Sequence, residues 1–311
     1  MKCTMRVLVL LSTYNGEKFL REQLDSILSQ KDVEISLLVR DDGSKDGTCN
    51  IIGDYATKHQ NIHVEQSENV GFIRSFSSLI RMAQLYKEEV DYFAFADQDD
   101  IWMSDKLKVA CDKLAEMNPD IPNLYTSNSI QVTSEGEKIS LFHPSCPSYS
   151  KGNVMIYGTE QGCSMVFNRK ALELYDQYPP VKAYHDRWMY MICAFLGATY
   201  YDHTPRFYYR IHNGNAVGSI LERDQENILM RFFSPSMFKP LNKHLEMAEE
   251  FYHRLNGLLS SSDQRLLRTY FQYRKRIKCK LQLLLGQHFR CPYPDRKTRF
   301  YFFVCTLFGK V

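Results

Sequence analysis

Two groups of acidic residues each follow a short apolar run in this chain. Leu37-Leu38-Val39-Arg40 leads into Asp41-Asp42-Gly43-Ser44, and Phe93-Ala94-Phe95-Ala96 leads into Asp97-Gln98-Asp99-Asp100. Carboxylates crowded within a few residues repel one another, so a fold that tolerates them supplies a divalent cation or a polar ligand nearby. Alternating carboxylates leaving a strand, as in Asp97-Gln98-Asp99, can offer oxygens to Mg2+ or Mn2+ while the remaining positions of the metal hold a diphosphate. Capping of the following helix by Asp99, Asp100 or Ser104 explains one polar residue there, not three carboxylates. Asp-Gly in the first group is also a common turn. At a strand end, one of its carboxylates can accept the imide N–H of a pyrimidine base.

Further candidates lie along the chain. Asn69-Val70-Gly71 precedes a helical pattern, where backbone N–H groups could approach a nucleotide or simply make a strand-to-helix turn. Asp186 of His185-Asp186 can be a helix N-cap, a general base at a pocket rim, or both. In Tyr209-Arg210-Ile211-His212-Asn213-Gly214-Asn215, His212 can complete a Mn2+ shell or be an ordinary loop residue, and Arg210 can contact a phosphate.

The elements that must position these groups follow from periodicity. Arg6 to Leu11 predicts a buried strand, and Glu17 to Gln30 places Phe19, Leu20, Leu24, Ile27 and Leu28 on one helical stripe. The alternation continues with strands predicted over residues 35–39, 63–65 and 92–95 and helices over 48–59, 73–85 and 105–117. It predicts an α/β fold with a mostly parallel sheet covered by helices on both faces. Ligands bind such sheets beyond the carboxyl ends of the strands, where the Ser12 to Gly16 turn and both acidic groups fall.

After Pro119 the pattern is less regular. It predicts strands near 124–132 and 164–167, a polar loop over 134–153, a helix over 187–196, a Tyr-rich strand and a turn over 212–218. This half is expected to receive the second substrate. From Leu221 onward mainly helix is expected, which divides the chain into a catalytic domain, 1–220, and a basic helical extension, 221–311.

The bulk properties narrow the class. The 311 residues, 44% of them hydrophobic, suffice for a sizeable core. Nine scattered cysteines, without zinc spacing, argue against a disulfide frame and fit a reducing cytosol. Met1 to Leu11 lacks a small-residue cleavage site and reads as a first strand, not a leader. No apolar run approaches the roughly 18 residues of a membrane span. The net charge of +3 hides an asymmetry: residues 264–311 hold 12 Lys or Arg and one acid, Asp295. Cations beside apolar runs, as in Arg274 to Leu285 and Arg296 to Val304, suit an anionic membrane surface or a docked helical cap with a solvated basic face. A nucleic-acid partner fits less well, because the aromatics do not interleave with the cations.

Taken together, residues 5–220 resemble the inverting family 2 glycosyltransferases with a GT-A fold. The resemblance rests on Ser12-Thr13-Tyr14-Asn15-Gly16, Asp41-Asp42-Gly43-Ser44, Asn69-Val70-Gly71, Asp97-Gln98-Asp99-Asp100 and His185-Asp186, occurring in that order. It implies that Thr13, Tyr14, Asn15, Asp41 or Asp42, Asn69, Gly71 and Asp97 hold the nucleotide sugar, with Arg210 as a phosphate contact. Asp99 would bind a divalent cation, Mg2+ or Mn2+, and His212 would be a later metal or phosphate contact. Asp186 matches the catalytic base of the family. More narrowly, Thr13 to Leu20, Asp97 to Trp102 and Tyr209 to Asn215 resemble bacterial rhamnosyltransferases of cell-surface polysaccharide synthesis.

The donor implied is dTDP-L-rhamnose, or a UDP-sugar as in near relatives. The acceptor implied is a glycan or a polyprenyl-linked glycan, met in the cytoplasm or at the inner face of the plasma membrane. Processive synthases of the family carry Gln-x-x-Arg-Trp, and here Tyr184 stands where that Gln would be. Two rivals remain: a nucleotidyltransferase, which needs a basic Gly-rich loop that Ser12 to Gly16 does not supply, and a non-catalytic sugar-binding module, which has little use for a metal-diphosphate site.

Overall fold

Five consecutive apolar residues, Val7 to Leu11, mark a strand covered on both faces, and all five are buried in β1 (Met5–Thr13). On one side β1 pairs in parallel with β2 (Val33–Asp41), itself parallel to β3 (Ile62–Gln66); on the other it pairs in parallel with β4 (Tyr92–Ala96). Register decides where the chemistry falls. Thr13 lies opposite Asp41 and Leu11 opposite Ala96, so three strands end together and deliver Thr13, Asp41 and Asp97 to one edge.

The computed structural model describes residues 4–144, 150–157, 161–212 and 242–286, together with 289, 300, 303, 304, 306 and 307. They fall into two units, residues 1–144 with 160–210, and residues 145–159 with 211–311. The first holds the sheet. Its helices α1 (Leu20–Leu28), α2 (Thr48–Lys58), α3 (Phe72–Ala83) and α4 (Lys106–Ala115) follow the predicted alternation. In α1 the spacing of Leu20, Leu24 and Ile27 turns all three into the core.

Past α4 the sheet departs from the expectation. Among the described residues it has nine strands in the order β3-β2-β1-β4-β8-β6-β9-β5, with β7 beside β6. β5 is Ile101–Trp102, β6 Asn123–Val132, β7 Lys138–Leu141, β8 Val166–Asn168 and β9 Ala198–Arg210. β8 runs antiparallel to both β4 and β6, β5 antiparallel to β9, and β6 parallel to β9. The parallel core is as expected, and the sheet becomes mixed beyond β4: helical crossovers enforce parallel pairing, and they give way here in part to turns and a hairpin. That hairpin corrects the predicted polar loop. Lys138–Leu141 pairs antiparallel with β6 across a turn in which Gly136 takes a φ of +88°. A four-residue edge strand is too short to stand out by periodicity.

Two of the polar residues inside β6 find partners beyond the strand ladder. Asn128 donates to the His143 carbonyl at 2.9 Å and accepts from the His143 N–H at 3.0 Å, and Ser129 Oγ donates to Gln161 Oε1 at 2.8 Å. Helix α6 (Arg169–Gln177) starts at an Asn168 cap that accepts from the Ala171 N–H at 3.1 Å. Helix α7 (His185–Leu196) buries Trp188 through Cys193 without a break, as a helix inside the fold must.

The second unit contains α5 (Lys151–Tyr157), α8 (Asn242–Leu255), α9 (Ser261–Gln272) and α10 (Ile277–Leu285). Its helices agree with the expected helical extension, although the segment 145–159 joins it from earlier in the chain. α5 packs on α8 and α9, and Lys151 Nζ pairs with Asp263 at 2.9 Å. The expected turn residues Asn213-Gly214-Asn215 and the cationic run 296–299 lie outside the described residues. No helix among the described residues is long and apolar enough to cross a membrane.

Candidate active site

The carboxyl edge of the sheet is built first by the two turns that follow β1 and β2. Thr13 Oγ1 donates to Asp41 Oδ1 at 2.8 Å, and the Thr13 carbonyl accepts from the Asp42 N–H at 2.8 Å. Asp41 also accepts from the Gly43 and Ser44 N–H groups at 3.1 and 2.8 Å, from Ser44 Oγ at 2.6 Å and from the Cys49 thiol at 3.4 Å. Asn15, in the left-handed region at φ 49°, accepts from the Lys45 N–H at 2.8 Å, while its own N–H donates to Ser44 Oγ. Gln98 then ties the β1 turn to β4. It accepts from the Tyr14 N–H at 2.8 Å and donates to the Tyr14 carbonyl at 3.0 Å. A Cβ at Gly16 would stand 2.3 Å from Gln98 Oε1, so this approach requires glycine. Tyr14 is left with its side chain 45% exposed at the site.

Asp42 has a different task from Asp41. Its buried carboxylate holds Arg40 Nη1 at 2.6 Å and accepts from the Val70 and Gly71 N–H groups, both at 2.9 Å. Gly71, at φ +81°, opens α3. The Gly71 N–H, expected to approach a nucleotide, is thus committed to Asp42, whereas the Asn69 side chain remains exposed. Arg210, expected at a phosphate, is also committed. Its buried guanidinium donates to Glu22 at 2.6 Å, to the Asp99 carbonyl at 2.9 Å and to the Ser134 carbonyl at 2.8 Å. Its backbone N–H reaches Asp100 Oδ1 at 3.3 Å. Arg210 thereby clamps the acidic turn from behind.

The turn after β4 is the electrostatic centre. Burial, then the Asp99 and Asp186 carboxylates, push Asp97 up to about 7, with the nearby Cys163 thiol opposing. Burial beside Asp99 and Asp97 raises Asp100 as well. Its Oδ2 is buried with no hydrogen-bond partner among the described residues. Ligand atoms of Asp97, Asp100 and Cys163 lie within 4.8 Å of one another. That group differs from the expected pair of Asp99 and His212. Asp99 stands between its members in sequence, and His212 belongs to the second unit. The carboxylates offer the hard oxygen donors that Mg2+ and Mn2+ prefer, and both the orphaned Asp100 oxygen and the raised Asp97 are relieved by positive charge, so the donor set fits a divalent cation. Cys163, held protonated by burial and the adjacent acids, contributes a thiol and not a thiolate.

Asp186 comes from a different element, as the second residue of α7. The N-cap position is Tyr184, which makes no side-chain cap, and Asp186 Oδ1 accepts from the Arg187 N–H at 2.6 Å. His185 beneath it is buried, stacked 3.7 Å from Phe76 and edge-on 5.0 Å from Phe95. Burial lowers it to about 4, so it is neutral, and neither ring nitrogen has a hydrogen-bond partner among the described residues. Gly162 makes room for this pair. A Cβ there would stand 2.9 Å from His185 Nε2 and 3.3 Å from the Asp186 Cβ.

Sequence reasoning missed Gln98 as a bridge, Cys163, the role of His185, and Lys106. Lys106 lies wholly buried in α4, its Nζ 3.6 Å from the Trp102 ring centroid and lowered to about 7 by burial, with Asp100 and Cys163 opposing. A signal existed: Lys106 shares the α4 stripe with Leu107, Ala110, Cys111 and Leu114, a core position for a charged residue. For Cys163 there was none.

Comparison with known proteins gives a consistent set of similarities. The family model described as "Glycosyl transferase family 2" matches residues 8–174. The dTDP-rhamnosyl transferase RfbG of Shigella flexneri is 33% identical over 220 residues, 67% of this chain and 74% of that protein. Among solved structures, S. aureus TarS 1-349 in complex with UDP-GlcNAc superposes with a TM-score of 0.59 at 20% identity, covering 91% of this chain and 76% of that one. Mannosyltransferase PcManGT from Pyrobaculum calidifontis, in complex with GDP-Man and Mn2+, superposes with a TM-score of 0.53 at 17% identity, covering 99% and 86%. The two structural likenesses bear on the fold alone, which is that of the GT-A glycosyltransferases.

Proposed function

Because the chain belongs to glycosyltransferase family 2, we propose that it moves L-rhamnose from dTDP-L-rhamnose to a glycan or polyprenyl-linked acceptor, with inversion, in bacterial surface polysaccharide synthesis at the inner face of the plasma membrane. The donor sugar is supported by the similarity to the Shigella rhamnosyl transferase and by the motif set. The observation that carries the chemistry is that Gly162-Cys163 borders both groups: the Cys163 thiol lies within 4.8 Å of the Asp97 and Asp100 carboxylates, and a Cβ on Gly162 would stand 3.3 Å from the Asp186 Cβ. A base on one side and a diphosphate cradle on the other suit an in-line displacement.

In this reading the thymine base enters beside Tyr14 and the Thr13-Asp41 pair. Asp41 already accepts five donors, so pairing with the base exchanges the weakest of them, the Cys49 thiol at 3.4 Å. Asp97 and Asp99, with Asp100 behind them, would hold the divalent cation. A cation held there would neutralise charge on the departing diphosphate. Asp186 accepts the proton of the acceptor hydroxyl as that oxygen bonds to the anomeric carbon and the bond to the diphosphate breaks, releasing dTDP. The neutral His185 and the Phe76 ring beneath it fix where Asp186 stands.

The test is dTDP release from dTDP-L-rhamnose with Mn2+, with and without glycan and polyprenyl-linked acceptors. Release that rises with acceptor supports the proposal. Pyrophosphate release from a nucleoside triphosphate, or no acceptor-dependent release from any nucleotide sugar, overturns it.

A further inference from the structure

Helix α10 turns apolar residues outward. Ile277, Leu281 and Leu285 are spaced four apart, fall on one face and are 79, 50 and 77% exposed, while Leu283 on the other face is 1% exposed. A helix that serves only as a docked cap would present these residues inward and its polar ones to water.

The surroundings of that face are cationic. Arg274, Lys275, Arg276, Lys278 and Lys280 precede or interleave with it, and no acidic residue occurs from Gln264 to Leu285. Lys275, Arg276 and Lys278 are exposed. Lys280 Nζ donates to the Leu307 carbonyl at 3.1 Å, which brings the C-terminal stretch alongside α10. Phe303 and Leu307 of that stretch are exposed as well, at 44 and 46%. An exposed apolar face bordered by cations marks an interaction surface.

We propose that the outer face of α10, with Phe303 and Leu307 beside it, is the surface by which this chain lies on an anionic lipid bilayer. Ile277, Leu281 and Leu285 enter the boundary between headgroups and acyl chains, and Lys275, Arg276 and Lys278 meet lipid phosphates. Charge complementarity selects this occupant. A second copy docked through the same face would set two basic rims against each other with no acid in the helix to offset them. The inference deepens the reading of an enzyme at the membrane face. Adsorption needs neither donor nor acceptor, however, so its failure is distinct from a failure of transfer.

The experiment is co-sedimentation of the full chain with vesicles of phosphatidylcholine alone and of phosphatidylcholine mixed with phosphatidylglycerol. Binding only to the mixed vesicles, weakening as salt rises, is expected. Ile277→Ser with Leu285→Ser, at positions open to solvent, should lower partitioning at least ~10-fold while thermal unfolding stays as in the parent. Lys275→Glu with Lys278→Glu should do the same and should remove the salt dependence. No adsorption to mixed vesicles, equal adsorption to both kinds, or variants that bind like the parent would overturn the proposal. So would a dimer in solution that dissociates in the Ile277→Ser, Leu285→Ser variant, since that result assigns the face to a second copy.

Discussion

The acidic turns after β2 and after β4 look alike in sequence and differ in how far their carboxylates are satisfied. Asp41 and Asp42 together collect hydrogen bonds from Thr13, Gly43, Ser44, Cys49, Val70, Gly71 and Arg40. Asp97 and Asp100 are crowded by their own neighbours and pushed upward, and one Asp100 oxygen has no partner among the described residues. The first turn is satisfied within the protein, with only the weak Cys49 bond at Asp41 open to exchange; the second is held in a state that a cation would complete. The lesson is that spacing identifies acidic turns, whereas hydrogen-bond supply separates structural carboxylates from reactive ones.

Substitutions can break this contrast, and the largest effect is expected in the satisfied turn. Asp42→Ala leaves Arg40 buried without its partner and frees two N–H groups before α3. Urea unfolding should show a loss of about 3–5 kcal/mol, and a loss below about 1 kcal/mol would mean the turn is not held by that pair. Next comes the neutral His185. It titrates near 6.5 when unfolded and about 4 when folded, so its contribution is complete above pH 6.5 and is lost as pH falls through 4. Subtracting the pH-stability curve of His185→Gln from that of the parent should reveal this acid-side loss, about 3 kcal/mol in full.

In the unsatisfied turn the sign reverses. Asp97, raised from 3.8 to about 7, contributes stability below pH 3.8 that is lost as pH rises through 7. Asp97→Asn should therefore hold metal-free stability at pH 8 equal to or above that of the parent, while transfer falls ~100-fold and protection by Mn2+ in thermal unfolding disappears. A destabilised Asp97→Asn would erase the distinction between the turns. The smallest effect sharpens the base side. Gly162→Ala presses on His185 and Asp186 and should lower kcat by ~10-fold, about 1.4 kcal/mol, with the KM for donor unchanged.

Much of this was legible in the sequence where local rules decide. The unbroken apolar run of β1, the stripe of α1 and the strand-helix alternation up to α4 each follow from periodicity. So does the arrival of Thr13, Asp41 and Asp97 at one edge, because parallel strands with aligned ends carry their following residues to the same side. The mixed half was not legible, since a pattern such as Lys138–Leu141 shows neither the direction of a strand nor its partner. The commitments of Asp42 and Arg210 were hidden for a related reason. Whether a charge faces a ligand or a buried partner depends on residues as distant as Glu22 is from Arg210, and no local spacing records that.

The central claim is that Asp186 serves the acceptor while the turns after β1, β2 and β4 hold the nucleotide, and Asp186→Asn tests it most directly. Calorimetric binding of dTDP with Mn2+ and acceptor-dependent dTDP release should be measured on the same preparation. The account predicts nucleotide affinity within a few fold of the parent and transfer lower by roughly 100-fold or more. Transfer that survives, or nucleotide binding that collapses in a folded variant, would contradict it.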